Sequence, residues 1–243
     1  MKTELNGVTY NIYQQGSGDP ALVFLHYFGG SSRAWAAVIA PLAKEFRCIA
    51  PDLRGFGDSA APPSGYSVRD YVADVVALVD TLELMHYVVV GHSMGGKFAL
   101  AFAARQPRGL TSLVLLAPSP PTPEPMDDRE RQRLLDGFGK PAATAETLRK
   151  ITAQPLPAPL REQFIEDNLR SSKAAWDAWL EHGSREDVSD QMSGVNVPVV
   201  ALSGTKDRAI PTDVVEREVV QWIKATRLTT LPDVGHLLPL EAP

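Results

Sequence analysis

Apolar and polar positions alternate loosely over residues 3–15 around an Asn6-Gly7 pair, the pattern of a β-hairpin. The pattern then changes. Ala21-Leu22-Val23-Phe24-Leu25 is an unbroken apolar run, as expected of a strand buried on both faces. Residues 35–44 are helical in period, and Arg47-Cys48-Ile49-Ala50 predicts the next strand. Ser67-x-x-Asp70 reads as a capping box ahead of Tyr71, Val72, Val75, Val76, Val79 and Leu82, a stripe at i, i+3, i+4 spacing. A strand at residues 87–90, a helix opening at Met94 and running through residues 96–106, and a strand at residues 113–116 follow. Strands alternating with helices predict an α/β fold with a mostly parallel sheet wrapped by helices on both sides.

The alternation stops at Ala117. Residues 118–125 read Pro-Ser-Pro-Pro-Thr-Pro-Glu-Pro, a stiff linker that cannot continue a helix. Helices are predicted near residues 127–138, 144–153, 160–170 and 173–182, and strands resume at residues 197–202 and 227–231. An all-helical block between two strands of one sheet predicts an inserted helical cap over residues 118–190. The α/β core then comprises residues 1–117 and 191–243.

The chain has 243 residues, enough for one such domain with its insertion, and a net charge of −5 that offers no basic face for nucleic acid. Its single cysteine, Cys48, excludes an internal disulfide and a cysteine-based metal cluster, and its apolar neighbours predict burial. No two histidines stand at i, i+4 spacing, so neither a metal site nor a cofactor is expected. The N-terminus lacks an apolar signal segment, and no run reaches the roughly 18 apolar residues of a membrane span. A cytoplasmic location with no membrane partner is the default expectation, and a homo-oligomer is left open.

The strongest chemical signal is Gly91-His92-Ser93-Met94-Gly95, a G-x-S-x-G pattern set between a strand and a helix. A serine hydroxyl is a poor nucleophile unless it is presented well. This turn projects Ser93 above the sheet edge, small residues at either side allow the tight strand–helix crossing, and the helix N-terminus points its N–H groups at developing negative charge. Ser93 needs a base and a group to orient it. His92 is expected to diverge from Ser93 and pack, and His86 and His182 to be solvated or structural. His26 ends the first buried strand. His236, just past the last strand in Asp233-Val234-Gly235-His236, can reach back to Ser93 and is the expected base. Asp207, a short loop beyond the strand ending near Leu202, is the expected orienting carboxylate, and the order Ser93, Asp207, His236 suits this architecture. Hydrolysis is expected to rise with an apparent pKa of roughly 6 to 7 as the imidazole becomes neutral.

These residues resemble the α/β-hydrolase fold family, in its serine esterase/lactonase and C–C hydrolase branch. The resemblance is carried by Leu25-His26-Tyr27-Phe28-Gly29-Gly30, by Asp52-Leu53-Arg54-Gly55-Phe56-Gly57-Asp58-Ser59, by the segment from Gly91 to Gly96, by Gly204 to Asp207 with Pro211, and by Gly235-His236. It covers essentially the whole chain apart from the inserted block. It implies an oxyanion hole made by the backbone N–H groups of Phe28 and Met94, and a structural role for the segment from Asp52 to Ser59. The sequence departs from the family at two points. Tyr27 stands where members usually have glycine, which narrows the backbone's options, crowds the turn and makes Tyr27 a candidate pocket residue. The chain also reaches Pro243 soon after His236, where members continue into a final helix, so that either the sequence is shortened or the sheet is covered differently.

The resemblance implies acyl transfer. Epoxide hydrolases and haloalkane dehalogenases of this fold use an aspartate at the elbow, and Ser93 argues against both. The favoured expectation is a serine hydrolase acting on a small neutral carboxylic ester or lactone. The alternatives are hydrolysis of a carbon–carbon bond in a β-diketone or ring-cleavage product, cofactor-free perhydrolysis, and a ligand-binding receptor on the same fold. Trp176, Trp179 and Leu180 form one apolar helix face in the insertion, expected to pack the cap onto the core, with the two tryptophans also candidates to close the pocket. The basic residues beside the motifs are Arg54, Lys97, Lys206 and Arg208, and they do not signal an anionic substrate.

Overall fold

The computed structural model describes residues 1–223 and 226–243. β1 (Lys2–Leu5) and β2 (Val8–Gln15) form the predicted hairpin, with Asn6 and Gly7 both at positive φ, as a tight two-residue turn demands. β3 (Ala21–Leu25) is buried at every position. A 3-10 turn, Ser32–Trp35, opens α1 (Ala36–Leu42), and β4 (Arg47–Pro51) follows. α2 (Val68–Thr81) begins at the expected capping box, Ser67 and Asp70 bonding reciprocally, and buries Tyr71, Val72, Val75, Leu78 and Val79. β5 (Tyr87–His92) turns at Ser93 into α3 (Met94–Ala103), and β6 (Leu110–Leu116) ends the first half.

Four helices then replace the alternation: α4 (Asp128–Gly137), α5 (Pro141–Ile151), α6 (Ala158–Leu169) and α7 (Lys173–Glu181). β7 (Val199–Gly204) lies two residues later than its apolar run predicts. α8 (Thr212–Val215) continues into a π-helical turn, Glu216–Val220, a stretch with no reading in the sequence. β8 (Thr226–Leu231) and α9 (Leu238–Glu241) complete the described chain.

The strands order as β1-β2-β4-β3-β5-β6-β7-β8 in one eight-stranded sheet. β1, β2 and β4 pair antiparallel, and every pairing from β4 through β3 to β8 is parallel. The chain leaves β3 for β4 on one side and returns to β5 on the other. A crevice opens where the chain direction across the sheet reverses, outside the C-terminal ends of β3 and β5, which is where open α/β sheets bind ligands. α2 and α3 cover one face of the sheet, and all ten residues of α3 are buried. The other face packs on Trp35, Ile39 and Leu238. Val88, Val114 and Leu202 on that face are half-buried and Val200 is exposed. Cys48 is buried and free.

Candidate active site

The chain emerging from β3 makes a tight turn, Tyr27-Phe28-Gly29-Gly30, closed by the Gly30 N–H on the Tyr27 carbonyl at 3.0 Å. Gly29 supplies the positive φ, 76°, that such a turn requires. Tyr27 has no positive φ, so the position needs no glycine, and its ring lies over Gly30 of the same turn, where an added Cβ would stand 3.0 Å from it. His26 staples this turn to the core. Its Nδ1 donates to the Tyr27 carbonyl at 2.8 Å and its Nε2 accepts from the Leu53 N–H at 2.9 Å. Burial lowers the pKa of His26, in keeping with this neutral, structural tautomer. No acceptor for the Phe28 N–H occurs among the described residues.

Ser93 sits in the strained elbow conformation, φ 52° and ψ −118°. The surroundings over-determine it: the Ser93 N–H donates to Leu116 at 3.0 Å, and its carbonyl accepts from Gly96 at 2.8 Å and Ser119 at 2.9 Å. Glycine is obligatory on both sides of the crossing. A Cβ on Gly91 would stand 2.6 Å from the Gly95 carbonyl oxygen, and one on Gly95 would stand 2.4 Å from that of Leu25. Met94 is the first residue of α3, so its N–H has no intrahelical acceptor and, like that of Phe28, is free to donate.

The structure brings Ser93, Asp207 and His236 together. His236 Nε2 lies 2.9 Å from Ser93 Oγ, and its Nδ1 lies 2.8 Å from Asp207 Oδ2. Asp207 Oδ1 accepts the N–H groups of Ala209 at 2.8 Å and Ile210 at 2.9 Å, which fixes the carboxylate's rotation. All three side chains are buried. Burial alone would lower the pKa of His236; the charge and hydrogen bond of Asp207, with Glu124 and Glu241 beyond, outweigh it and raise the value above the usual histidine range.

The main chain around His236 is held as firmly as its ring. The His236 N–H donates to the Ile151 carbonyl at 2.7 Å, an acceptor left over at the end of α5. Glu241 accepts from Ala153 at 2.8 Å and Gly235 at 3.0 Å on one oxygen, and from Leu237 at 3.0 Å on the other. His92, expected only to pack, places its Nε2 at 2.8 Å from the His236 carbonyl. Neither Glu241 nor His92 is marked by a local pattern, because each acts on main-chain groups that only the fold brings near.

A cavity of about 490 Å³ opens over Ser93 and His236. Core residues form its floor, and α4 to α7 supply much of its wall, including Leu134, Thr147, Phe164 and Asn168. Tyr27, Trp176 and Trp179 all line it. The two tryptophans also pack as the helical stripe predicts, Trp176 with its ring 4.4 Å from that of Phe28 and Trp179 edge-on to Phe98 at 5.6 Å. Five charged residues besides His236 reach the cavity: Glu124, Asp127, Glu130, Lys150 and Arg208. Lys150 is shared between Glu130 and Glu146, at 3.8 and 3.3 Å. Arg54 turns away into a buried pair with Asp74. Asp52, at the head of the segment from Asp52 to Ser59, accepts from Ser32 at 2.7 Å and Asp58 at 2.8 Å, a structural use. His86 and His182 are exposed and distant from this cluster. No group of three or more His, Cys, Asp or Glu among the described residues is arranged to hold a metal ion, and no helix there is long and apolar enough to cross a membrane.

A family model described as the alpha/beta hydrolase fold matches residues 20–243. Among curated relatives, 2-hydroxymuconate semialdehyde hydrolase of Pseudomonas sp. strain CF600 is 30% identical, over 97% of this chain and 86% of that protein. Among solved structures, the enol-lactonase of Burkholderia xenovorans LB400 superposes with a TM-score of 0.85 at 25% identity, over 99% of this chain and 94% of that one. An esterase of Exiguobacterium antarcticum reaches a TM-score of 0.91 at 23% identity, over 98% and 92%, a likeness of fold.

Proposed function

Since the chain belongs to the α/β-hydrolase fold family, we propose that it is a serine hydrolase cleaving a small neutral carboxylic ester or lactone through an acyl-enzyme on Ser93. The observation that carries this is the continuous chain from Ser93 Oγ through His236 to Asp207, at 2.9 and 2.8 Å, opening into a cavity walled mainly by aromatic and aliphatic side chains.

In this reading Ser93 Oγ attacks the substrate carbonyl carbon while His236 Nε2 takes the hydroxyl proton. The carbonyl oxygen becomes an oxyanion between the N–H groups of Phe28 and Met94. Asp207 keeps His236 in the Nδ1–H tautomer and stabilises the imidazolium. The imidazolium then protonates the departing alkoxide as the carbon–oxygen bond breaks, leaving the acyl-enzyme. Water, deprotonated by His236, reverses these steps and releases the acid. Residues 118–190 act as a cap that encloses the acyl or alcohol portion against Tyr27, Trp176 and Trp179.

Two observations support a neutral substrate. Lys150 is already occupied by carboxylates, and Glu124 and Glu130 face the same space. A second reading, hydrolysis of a carbon–carbon bond, is favoured by the name of the Pseudomonas relative and by exposed Arg208 at the cavity, a cation able to meet a substrate carboxylate. A fluorophosphonate should label Ser93 one to one, and S93A should lose about a thousandfold or more in kcat. Label on another residue would overturn the reading. Ester or lactone turnover should exceed that of a vinylogous diketo acid by about a hundredfold, a gap of about 2.7 kcal/mol, and the opposite order would select the second reading.

A further inference from the structure

Ser93 and His92 are consecutive, yet both reach His236, from opposite directions. Ser93 Oγ meets the ring at 2.9 Å, and His92 Nε2 meets the main-chain carbonyl at 2.8 Å. The two imidazole rings lie 5.3 Å apart. A carbonyl oxygen only accepts, so the His92 Nε2 must carry the proton. His92 Nδ1 is buried and has no partner among the described residues. The His92 ring packs against those of Tyr27 and Trp35, with ring centres 5.1 and 6.2 Å away. A protonated Nδ1 there would be an unpaired donor, so the geometry selects the neutral Nε2–H tautomer. Burial and the nearby His236 and His26 act in the same direction, holding the pKa of His92 far below the usual range.

This bond crosses 144 positions of sequence to join the last residue of β5 to the loop after β8. The other main-chain supports of His236, Ile151 and Ala153 through Glu241, come from the end of α5. His92 therefore references the histidine loop directly to the elbow that holds Ser93.

Resting on the reading of Ser93, Asp207 and His236 given above, we propose that His92 is a positioning residue for the reaction: its Nε2–H sets the distance between His236 and Ser93 by gripping the His236 carbonyl. The ring of His92 fills space as well, and a purely packing role would be served by any aromatic side chain. A positioning role needs the N–H.

Two substitutions separate these. Phenylalanine keeps the ring against Tyr27 and Trp35 and removes the N–H. Glutamine restores an N–H at nearly the same reach. H92F should lower kcat about 10- to 100-fold with KM within about twofold, the cost of a misplaced catalytic group. Fluorophosphonate labelling of Ser93 should slow by the same factor, and H92Q should recover most of both. H92F with wild-type kcat and labelling, or H92Q as slow as H92F, would overturn the proposal. Should H92F not fold, long-range nitrogen–proton spectra of the wild type still decide: His92 should be a neutral Nε2–H tautomer at neutral pH, and an Nδ1–H tautomer would refute the bond. S93A is the control. If S93A retains turnover, the site reading itself fails. If S93A is inactive while H92F is unaffected, only the role of His92 fails.

Discussion

Asn168, on α6, donates its side-chain amide to the carbonyl of Gly29 at 3.1 Å, so the helical segment holds the turn that carries Phe28. The same amide donates to Phe164 at 3.0 Å, closing its own helix turn. Removing it leaves a buried carbonyl without its partner, a cost of about 1–3 kcal/mol. N168A should therefore lower the melting temperature and reduce kcat about tenfold, because the Phe28 N–H loses its fixed direction. Steady-state kinetics on an activated ester check this; unchanged kcat would detach Asn168 from the turn's function.

The raised pKa of His236 has a definite sign in the pH profile. In the proposed reaction His236 works as a base only when neutral, so kcat/KM should fall as pH drops through a value above the ordinary histidine range, rather than through the roughly 6 to 7 that an unperturbed base implies. In D207N an amide replaces the carboxylate that raises the value, so the acid limb should move to lower pH. The plateau should fall about a hundredfold or more, because the new side-chain N–H favours the wrong tautomer. A D207N profile that overlays the wild type would mean that another group orients His236.

Lys97 lies one turn into α3, fully buried, with its ammonium on the Thr122 carbonyl at 3.1 Å. Burial pushes its pKa down to about 8 from 10.5. The unfolded chain binds this proton more tightly than the folded one between those values, so Lys97 makes the protein gain stability as pH rises from about 8 to 10.5. Below that window it costs about 3 kcal/mol. K97M removes the charge and orphans one carbonyl, worth about 1 kcal/mol. K97M should be the more stable protein at about pH 7, and the advantage should vanish near pH 10. Thermal melts at both pH values test this, and a wild type more stable than K97M at neutral pH would contradict it.

Asp167 carries a second linkage, with the opposite slope. It is buried between Ser31 and Arg33, and burial pushes its pKa up to about 6 from 3.8. The folded state keeps the proton over that window while the unfolded state releases it, so stability should fall as pH rises from about 4 to 6. D167N should flatten this fall, as read by denaturant midpoints across the window.

Trp176 packs 4.4 Å from Phe28 and walls the cavity. W176A should enlarge the space and move the preferred ester toward longer chains, with kcat/KM for the shortest ester falling. A chain-length series with unaltered preference would place the substrate elsewhere in the cavity.

The elbow was legible because backbone crowding leaves a trace in residue identity: nothing larger than glycine fits at Gly91 or Gly95. The approach of Asp207 and His236 to Ser93 followed from both lying just past strand ends, and the four helices of the insertion followed from their period. Other features left no such trace. β7 lies two residues beyond its apolar run, α8 is too short to show a period, and the sequence does not reveal that the positive φ of the turn after β3 belongs to Gly29 rather than to position 27. Glu241 was silent for a different reason. Any carboxylate could receive three amides, and only the fold decides which one does.

That clamp joins parts of the molecule that a hinged lid would separate. Ala153, Gly235 and Leu237 share one carboxylate, and Ile151 holds the histidine's own N–H. The amides of Ala153, Gly235 and Leu237 should accordingly exchange with solvent through one common opening, measurable by hydrogen exchange. An outward swing of α5 wide enough to admit a large ligand would draw His236 away from Ser93 as it went. Under the proposed reaction the doorway and the trigger are tied to one string, and a gaping pocket would hold an unarmed serine.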